Sequence, residues 1–403
     1  MNNLKKLGPG LLFAGAAIGV SHLVQSTRAG ADFGWGLIWA LILVNLFKYP
    51  FFQFGPRYAL ATGESLLDGY KRLGGGYLWV YFFLNLATMF TIQTAVTIVT
   101  AGLASNLFGI STDLVYWSIA ITTICFVILL LGKYQFLDKV IKGIILILTI
   151  STILALIIAF FKQDGSIGFT QIFPSGSELL FLIAFMGWMP APMDISIWHS
   201  IWVIEKKQTL NNKLSVKDGL FDFNVGYLTT VFLGICFVGL GALVMYGSGL
   251  DFSNKGVEFA GQLIDLYTIN LGESSYLVIS IAAFTTMFST TITTLDASPR
   301  SMSKALQLIL NKKNKDFYLL WICILAVGTS LVFLLLLTEM GLLVKIATVL
   351  SFITAPFYAF LNYRLIYSSH MPVNERPGLK TKILSISGIL FLSGFSIIYL
   401  LSL

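Results

Sequence analysis

Charge is what this chain lacks. Only 11% of its 403 residues are Asp, Glu, Lys or Arg, against 56% hydrophobic, and the mean hydropathy is +0.83. So little charge excludes a soluble globule of this size. Cysteine is nearly absent as well. Cys125, Cys236 and Cys323 each sit inside an apolar run with no partner nearby in sequence, which excludes a disulfide framework and a metal knuckle and leaves small buried hydrophobes. No HExxH helix, GxSxG elbow or paired-carboxylate motif occurs, so no enzyme is expected. Long polar stretches are missing too, and 1–403 reads as a single membrane domain.

What is present is a series of apolar runs of about 20 residues, the length a membrane helix needs. Eleven are predicted, near 9–31, 36–58, 77–107, 112–131, 137–161, 178–203, 220–247, 275–298, 317–338, 341–366 and 383–402. The basic-then-apolar start resembles a signal peptide but runs into GVSHLVQSTRAGADFG without a small-residue cleavage site, so it is expected to be a retained first span. The net charge of +7 follows topology rather than a nucleic-acid partner. Lys5 and Lys6, Lys71 and Arg72, Lys133 to Lys142, Lys206 to Lys217, Lys304 to Lys315 and Arg364 to Lys382 fall in alternate loops, and the others hold little beyond Lys162 and Lys255. By the positive-inside rule the N-terminus is cytoplasmic and the C-terminus outside. A monomeric, multi-pass protein of the cell (plasma or inner) membrane is expected, with the bilayer and a small ion or solute as its partners.

Two spans are unusual. In the first, Gly15, Gly19, Ser21, His22, Gln25, Ser26, Thr27 and Arg28 interrupt the apolar run at mid-depth; in the sixth, Gly187, Pro190, Pro192 and Asp194 do so. Two prolines two apart cannot continue an undistorted helix, because each lacks an N–H and clashes with the preceding turn. Broken spans five apart point to a secondary transporter with inverted repeats, whose site forms where unwound backbone meets half-helix ends. The repeats are expected at 9–161 and 178–366, with an extra helix at 383–402.

Residues Gly8 to Ala14 (GPGLLFA), Ala29 to Gly34 (AGADFG), Asn45, Gln53, Arg57 and Ala61 to Gly63 carry a resemblance to the Nramp family of divalent-metal transporters. Weaker echoes follow at Leu137 to Lys142, Thr291 to Thr293, Val349 to Ser351, Pro356 and Phe357. The resemblance implies an all-α integral membrane protein of the LeuT-like 5+5 inverted-repeat fold, with helices one and six broken. It also locates departures. Gly19, Val20, Ser21 and His22 stand where that family has Asp-Pro-Gly-Asn. In the sixth span, where the family has Met-Pro-His, aligning on Pro192 puts Ala191 and Met193 at the outer positions, and aligning on Pro190 puts Met189 and Ala191 there. The family's span-three histidine has no counterpart between Tyr77 and Phe108, where Asn85, Thr88, Thr91, Gln93, Thr94 and Thr97 are neutral. The chain resembles an outlying branch.

Ionisable groups at membrane depth are costly and mark candidate sites. The expected substrate-binding set is Gly19, Ser21, His22, Gln25, Met189, Ala191, Met193 and Asp194. His22 is read as a metal or proton ligand, or as a partner for a freed backbone carbonyl. Asp194 is read as a hard ligand or proton acceptor, or as a helix cap. Met189 and Met193 offer soft thioethers or packing. Ser26 and Thr27 supply neutral oxygens or satisfy the first half-helix.

His199, which matches the family's second sixth-span histidine, Asp296, Arg300, Arg28 and Lys48 form a candidate proton or charge relay. Asp296 and Arg300 have the spacing of a helix-surface ion pair. Asp32 and Glu339 are candidate partners for the intramembrane bases Arg28, Lys48 and Lys345, which either snorkel or turn the site toward an anion.

The resulting expectation is a transporter of a divalent metal ion, held by His22 and Asp194, with a small anion or organic solute as the alternative cargo. No cofactor is expected. Coupling to protons along the family's route is not expected, and replacing His22 should alter transport while leaving the fold intact.

Overall fold

The computed structural model describes residues 8–132, 134–162, 168–209, 214–249, 252–253, 255–312, 314–335 and 340–401, without the side chains of 134–145, 177, 209 and 340. Lys5, Lys6, Lys133 and Glu339 lie outside these residues, as do the side chains of Leu137 to Lys142.

The first span is two helices. α1 (Pro9–Ala17) starts with proline in its first turn, where the missing N–H costs nothing. Asp222 closes that end, accepting from Gly8 N at 3.0 Å and Gly10 N at 2.7 Å. The helix stops at Ile18, whose φ of −77° and ψ of 87° leave the helical region. A π-helical turn, Ser21–Ser26, then leads into α2 (Thr27–Phe33), and the two parts meet at 47°.

α3 (Ile38–Thr62), a short α4 (Leu66–Leu73), α5 (Gly75–Phe108), α6 (Leu114–Leu130) and α7 (Tyr134–Lys162) complete the first half. The second half opens with the other broken span, α8 (Ser177–Trp188) and α9 (Ile195–Thr209), and continues with α10 (Val216–Val244), α11 (Gly256–Leu271), α12 (Tyr276–Ile309), α13 (Tyr318–Leu335), α14 (Met340–Ile366) and α15 (Leu379–Leu401). Among the described residues, seven helices are long and apolar enough to cross a membrane, and the bent first pair makes an eighth. The stretches Leu114–Leu130, Leu146–Lys162 and Glu178–Trp188 are apolar but shorter. Among the described residues, eight of the eleven expected spans meet the length of a full crossing.

α4 and α11 are additional to the expected spans. α4 begins with a capping box: Ser65 Oγ receives Asp68 N, and Asp68 Oδ2 accepts from Ser65 N at 3.1 Å.

Pairing of the helices repeats between the halves. The first span packs on α10 and the sixth on α3; α7 lies against α10 and α12, while α14 lies against α3 and α5; α5 and α12 run along each other at the centre. Exchanging the first five spans for the second five carries each pairing onto another, the pattern of an inverted repeat. Phe83, Leu228, Leu319 and Leu390 project from the outside of this bundle, each at least 60% exposed. In water such a surface would aggregate; in hydrocarbon it is the natural one.

Basic residues gather at one end. Lys304 meets Asp68 at 2.9 Å, Arg57 donates to Glu375 O at 3.0 Å, Lys207 donates to Leu60 O at 3.0 Å and Arg364 reaches the Tyr77 hydroxyl.

Candidate functional site

The two interrupted spans meet at their interruptions. Pro190 and Pro192 have no N–H to offer the carbonyls four residues earlier, so α8 ends at Trp188 and the chain runs non-helically until Ile195. Ser21 Oγ approaches Pro190 O at 3.4 Å, and Ser26 Oγ approaches Met189 Sδ at 3.7 Å. Beside this seam lies a cavity of about 20 Å³, bounded by Ala17, Ser21, Trp188, Pro192, Thr290 and Thr294, room for about one water. Close approach depends on Gly19, where a Cβ would stand 2.7 Å from Thr290 Oγ1.

His22 is fully buried beside the seam but does not line the cavity. Its Nε2 lies 2.9 Å from Thr230 O of α10, and its Nδ1 lies 2.7 Å from Ser21 Oγ and 3.1 Å from Ala17 O. Ser21 Oγ itself donates to Ala17 O at 2.6 Å, so both ring nitrogens of His22 are engaged by protein groups, Nε2 donating to Thr230 O when it carries the proton. Of the readings open at His22, this geometry serves the carbonyl partner: the ring ties the end of α1 and the π turn to α10. A His22→Ala protein is expected to lose about 1–3 kcal/mol, because it removes the buried contacts with Thr230 O, Ser21 Oγ and Ala17 O and leaves the space of an imidazole empty. This replaces the expectation of an intact fold. Thermal unfolding of the purified protein checks it; an unchanged midpoint with transport lost would return His22 to the cargo site.

Asp194 faces a different set of neighbours. It is 3% exposed, at the start of α9, and neither carboxylate oxygen is hydrogen-bonded. The groups around it are Lys48 of α3, Tyr81 of α5 and Tyr358 of α14, and both tyrosine hydroxyls are also without a hydrogen-bond partner. His22 and Asp194, expected together as metal ligands, thus have different partners. No three His, Cys, Asp or Glu side chains gather among the described residues.

Lys48 neither snorkels nor enters the cavity. Fully buried, it donates from Nζ to Met186 O at 2.8 Å, Gly187 O at 2.7 Å and Ala191 O at 3.5 Å. Ala191 therefore enters through its carbonyl. Arg28, in the first turn of α2, donates to Phe252 O at 3.1 Å beside Asp32. Lys345 is exposed. Gln25 and Met193 are buried at 4% and 1%.

Asp296 and Arg300 do pair, Oδ2 to Nε at 2.7 Å, and Tyr318 OH donates to Asp296 Oδ1 at 2.6 Å. This pair sits among the basic residues at the end of α12, where Arg300 also reaches Glu205 of α9 at 3.8 Å. His199 has no polar partner at either ring nitrogen; it packs on Phe13 and Phe223 with ring centroids 5.7 and 5.8 Å away. These positions give the five relay candidates no common chain of hydrogen bonds.

Sequence reasoning missed Trp188, Thr230, Thr290 and Thr294. Span three is neutral and engaged with α12: Thr294 Oγ1 donates to Gln93 Oε1 at 2.7 Å, and the Thr100 and Thr291 hydroxyls lie 2.7 Å apart. The run of hydroxyls in α12 was the available signal.

Comparison with known proteins accords with this arrangement. The sequence profile of the family described as natural resistance-associated macrophage protein-like, Nramp, matches residues 10–402. An uncharacterized protein of Pasteurella multocida (strain Pm70) is 38% identical over 405 residues, 98% of this chain and 91% of its own. Metal transporter Nramp2 of Oryza sativa subsp. japonica is 24% identical over 280 residues, 64% of this chain and 50% of its own. The fold superposes on that of the Eremococcus coleocola manganese transporter with a TM-score of 0.76 at 13% identity, covering 98% of this chain and 86% of the other. With a match from residue 10 to residue 402 and a relative this similar along nearly its whole length, the chain belongs to the Nramp family.

Proposed function

We propose that the chain is a secondary transporter carrying a divalent metal ion by alternating access through the seam between its two breaks. The observation that carries this is the meeting of the π turn that follows the first break with the unwound second break, Ser21 with Pro190 and Ser26 with Met189. Two serine hydroxyls, the Pro190 carbonyl and the Met189 thioether are the donors the seam offers to a cation. The rice relative is a metal transporter and the Eremococcus fold neighbour a manganese transporter, which favours a metal as cargo. The repeats would be 9–161 and 178–366 with an extra helix at 383–402, in a cell membrane, the basic end facing the cytoplasm.

Because this donor set is neutral, with one soft atom, discrimination between transition and alkaline-earth ions is expected to be weak. Uptake into liposomes by the purified protein should show Mn2+ and Mg2+ entering at comparable rates. Submicromolar Mn2+ binding with strong rejection of Mg2+ would sink this expectation.

A second reading, a small anion or organic solute as cargo, is favoured by a cavity walled by Trp188, Trp198 and alanines. Liposomes that take up neither divalent ion but accumulate such a solute would establish it.

A further inference from the structure

Lys48 has no role in the seam, yet it is among the largest fully buried side chains of the protein. Burying an ammonium is costly unless it is neutralised and all its donors are used. Here three N–H donors meet three carbonyls, of Met186, Gly187 and Ala191. The sequence explains why those carbonyls are free. An N–H at position 190 would bond Met186 O in a continuous helix, and proline stands there. The negative end of α8 and the freed oxygens make a cradle for positive charge. Asp194, buried at the start of α9, supplies the negative charge that Lys48 feels.

In transporters with broken helices, unwound carbonyls and half-helix C-termini coordinate the coupling ion. We propose that Lys48 is a tethered cation occupying such a seat, so that this protein moves its cargo without a free sodium or potassium ion. The seat lies beside the cargo seam rather than in it, and the proposal holds whichever cargo the seam carries.

Two consequences separate this role from simple packing. The wild-type protein is indifferent to monovalent cations, since the seat is filled. Emptying it by Lys48→Met leaves three carbonyls around a hole with the charge of Asp194 nearby, which is a site for a desolvated monovalent cation. The Asp194→Asn change made together with Lys48→Met removes the charge that would hold that ion.

The test is thermal unfolding of the full-length purified protein in sodium, potassium and choline chloride at equal ionic strength, without cargo. The wild type should unfold at the same temperature in all three. Lys48→Met should unfold lower in choline and regain about 2–4 °C, saturably, in sodium or potassium. The double variant should show no such response. A saturable sodium or potassium response in the wild type overturns the proposal, as does a folded Lys48→Met protein indifferent to all three salts. If Lys48→Met is not recovered folded from choline, purification in high sodium or potassium should rescue it, and failure in every salt also overturns the proposal. Because no cargo is present, these outcomes are independent of the flux results that judge the metal reading.

Discussion

A Gly187→Ala protein is expected to lose transport and to unfold well below the wild type, although the change adds one carbon. That carbon would stand 2.2 Å from Thr348 O and 3.3 Å from Phe352 Cβ on α14. A backbone carbonyl cannot turn aside as a side chain can, so α8 must retreat from α14. Overpacking of this kind costs about 1–3 kcal/mol. Here it also withdraws Gly187 O from Lys48, which it receives at 2.7 Å, and strains the bond from Trp188 Nε1 to Ser351 Oγ at 2.8 Å. Gly187→Val carries the same offending carbon and should behave alike. Gly234→Ala is the contrasting case: its new carbon would meet Leu41, Met189 and His22 at 3.4 Å or more, an ordinary contact. Thermal unfolding and initial uptake rates of the three variants check the difference. Equal behaviour of Gly187→Ala and Gly234→Ala would show that α8 and α14 do not pack as described.

Asp194→Leu is expected to cost about 1–3 kcal/mol, because it removes the buried negative charge that Lys48 feels while Lys48 keeps its carbonyls. Combining it with Lys48→Met should recover part of the loss, since the uncompensated charge goes too. In sodium- and potassium-free buffer, a double-mutant cycle should give a coupling above about 1 kcal/mol. Additive effects would mean that the two groups do not sense each other across the α3–α9 interface.

How far these features could be read in the residues depends on distance along the chain. The spans follow from apolar run length, and both breaks follow from local chemistry: Pro190 and Pro192 delete donors, and Gly19 with Ser21 ends an apolar run. The fold class was therefore accessible. α4 was legible too, since Ser65 and Asp68 have the spacing of a capping box, but its eight residues carry no span signal. The partner of Lys48 was not legible: the carbonyls that hold it lie 138 and 139 residues away, and a lysine pattern does not reveal that a backbone elsewhere has been stripped of donors. The same limit applies to His22, whose second anchor, Thr230, is 208 residues distant. Nor did hydropathy reveal that Arg28 donates to Phe252 O.

The contact between α9 and α12 at the basic end has a further consequence. Arg300 reaches Glu205 at 3.8 Å with both side chains about half exposed, 43% and 54%. Ion pairs in water contribute about 0–1 kcal/mol each and weaken as salt rises. A strong latch here would trap the carrier on one side of the membrane and slow every cycle. A weak one lets thermal motion part the two helices and close them again within the microsecond-to-millisecond range of domain movement. Under the proposed alternating access, this bridge would part readily at the basic end, while Lys48, buried in the joint between α3 and α8, would hold those two helices together.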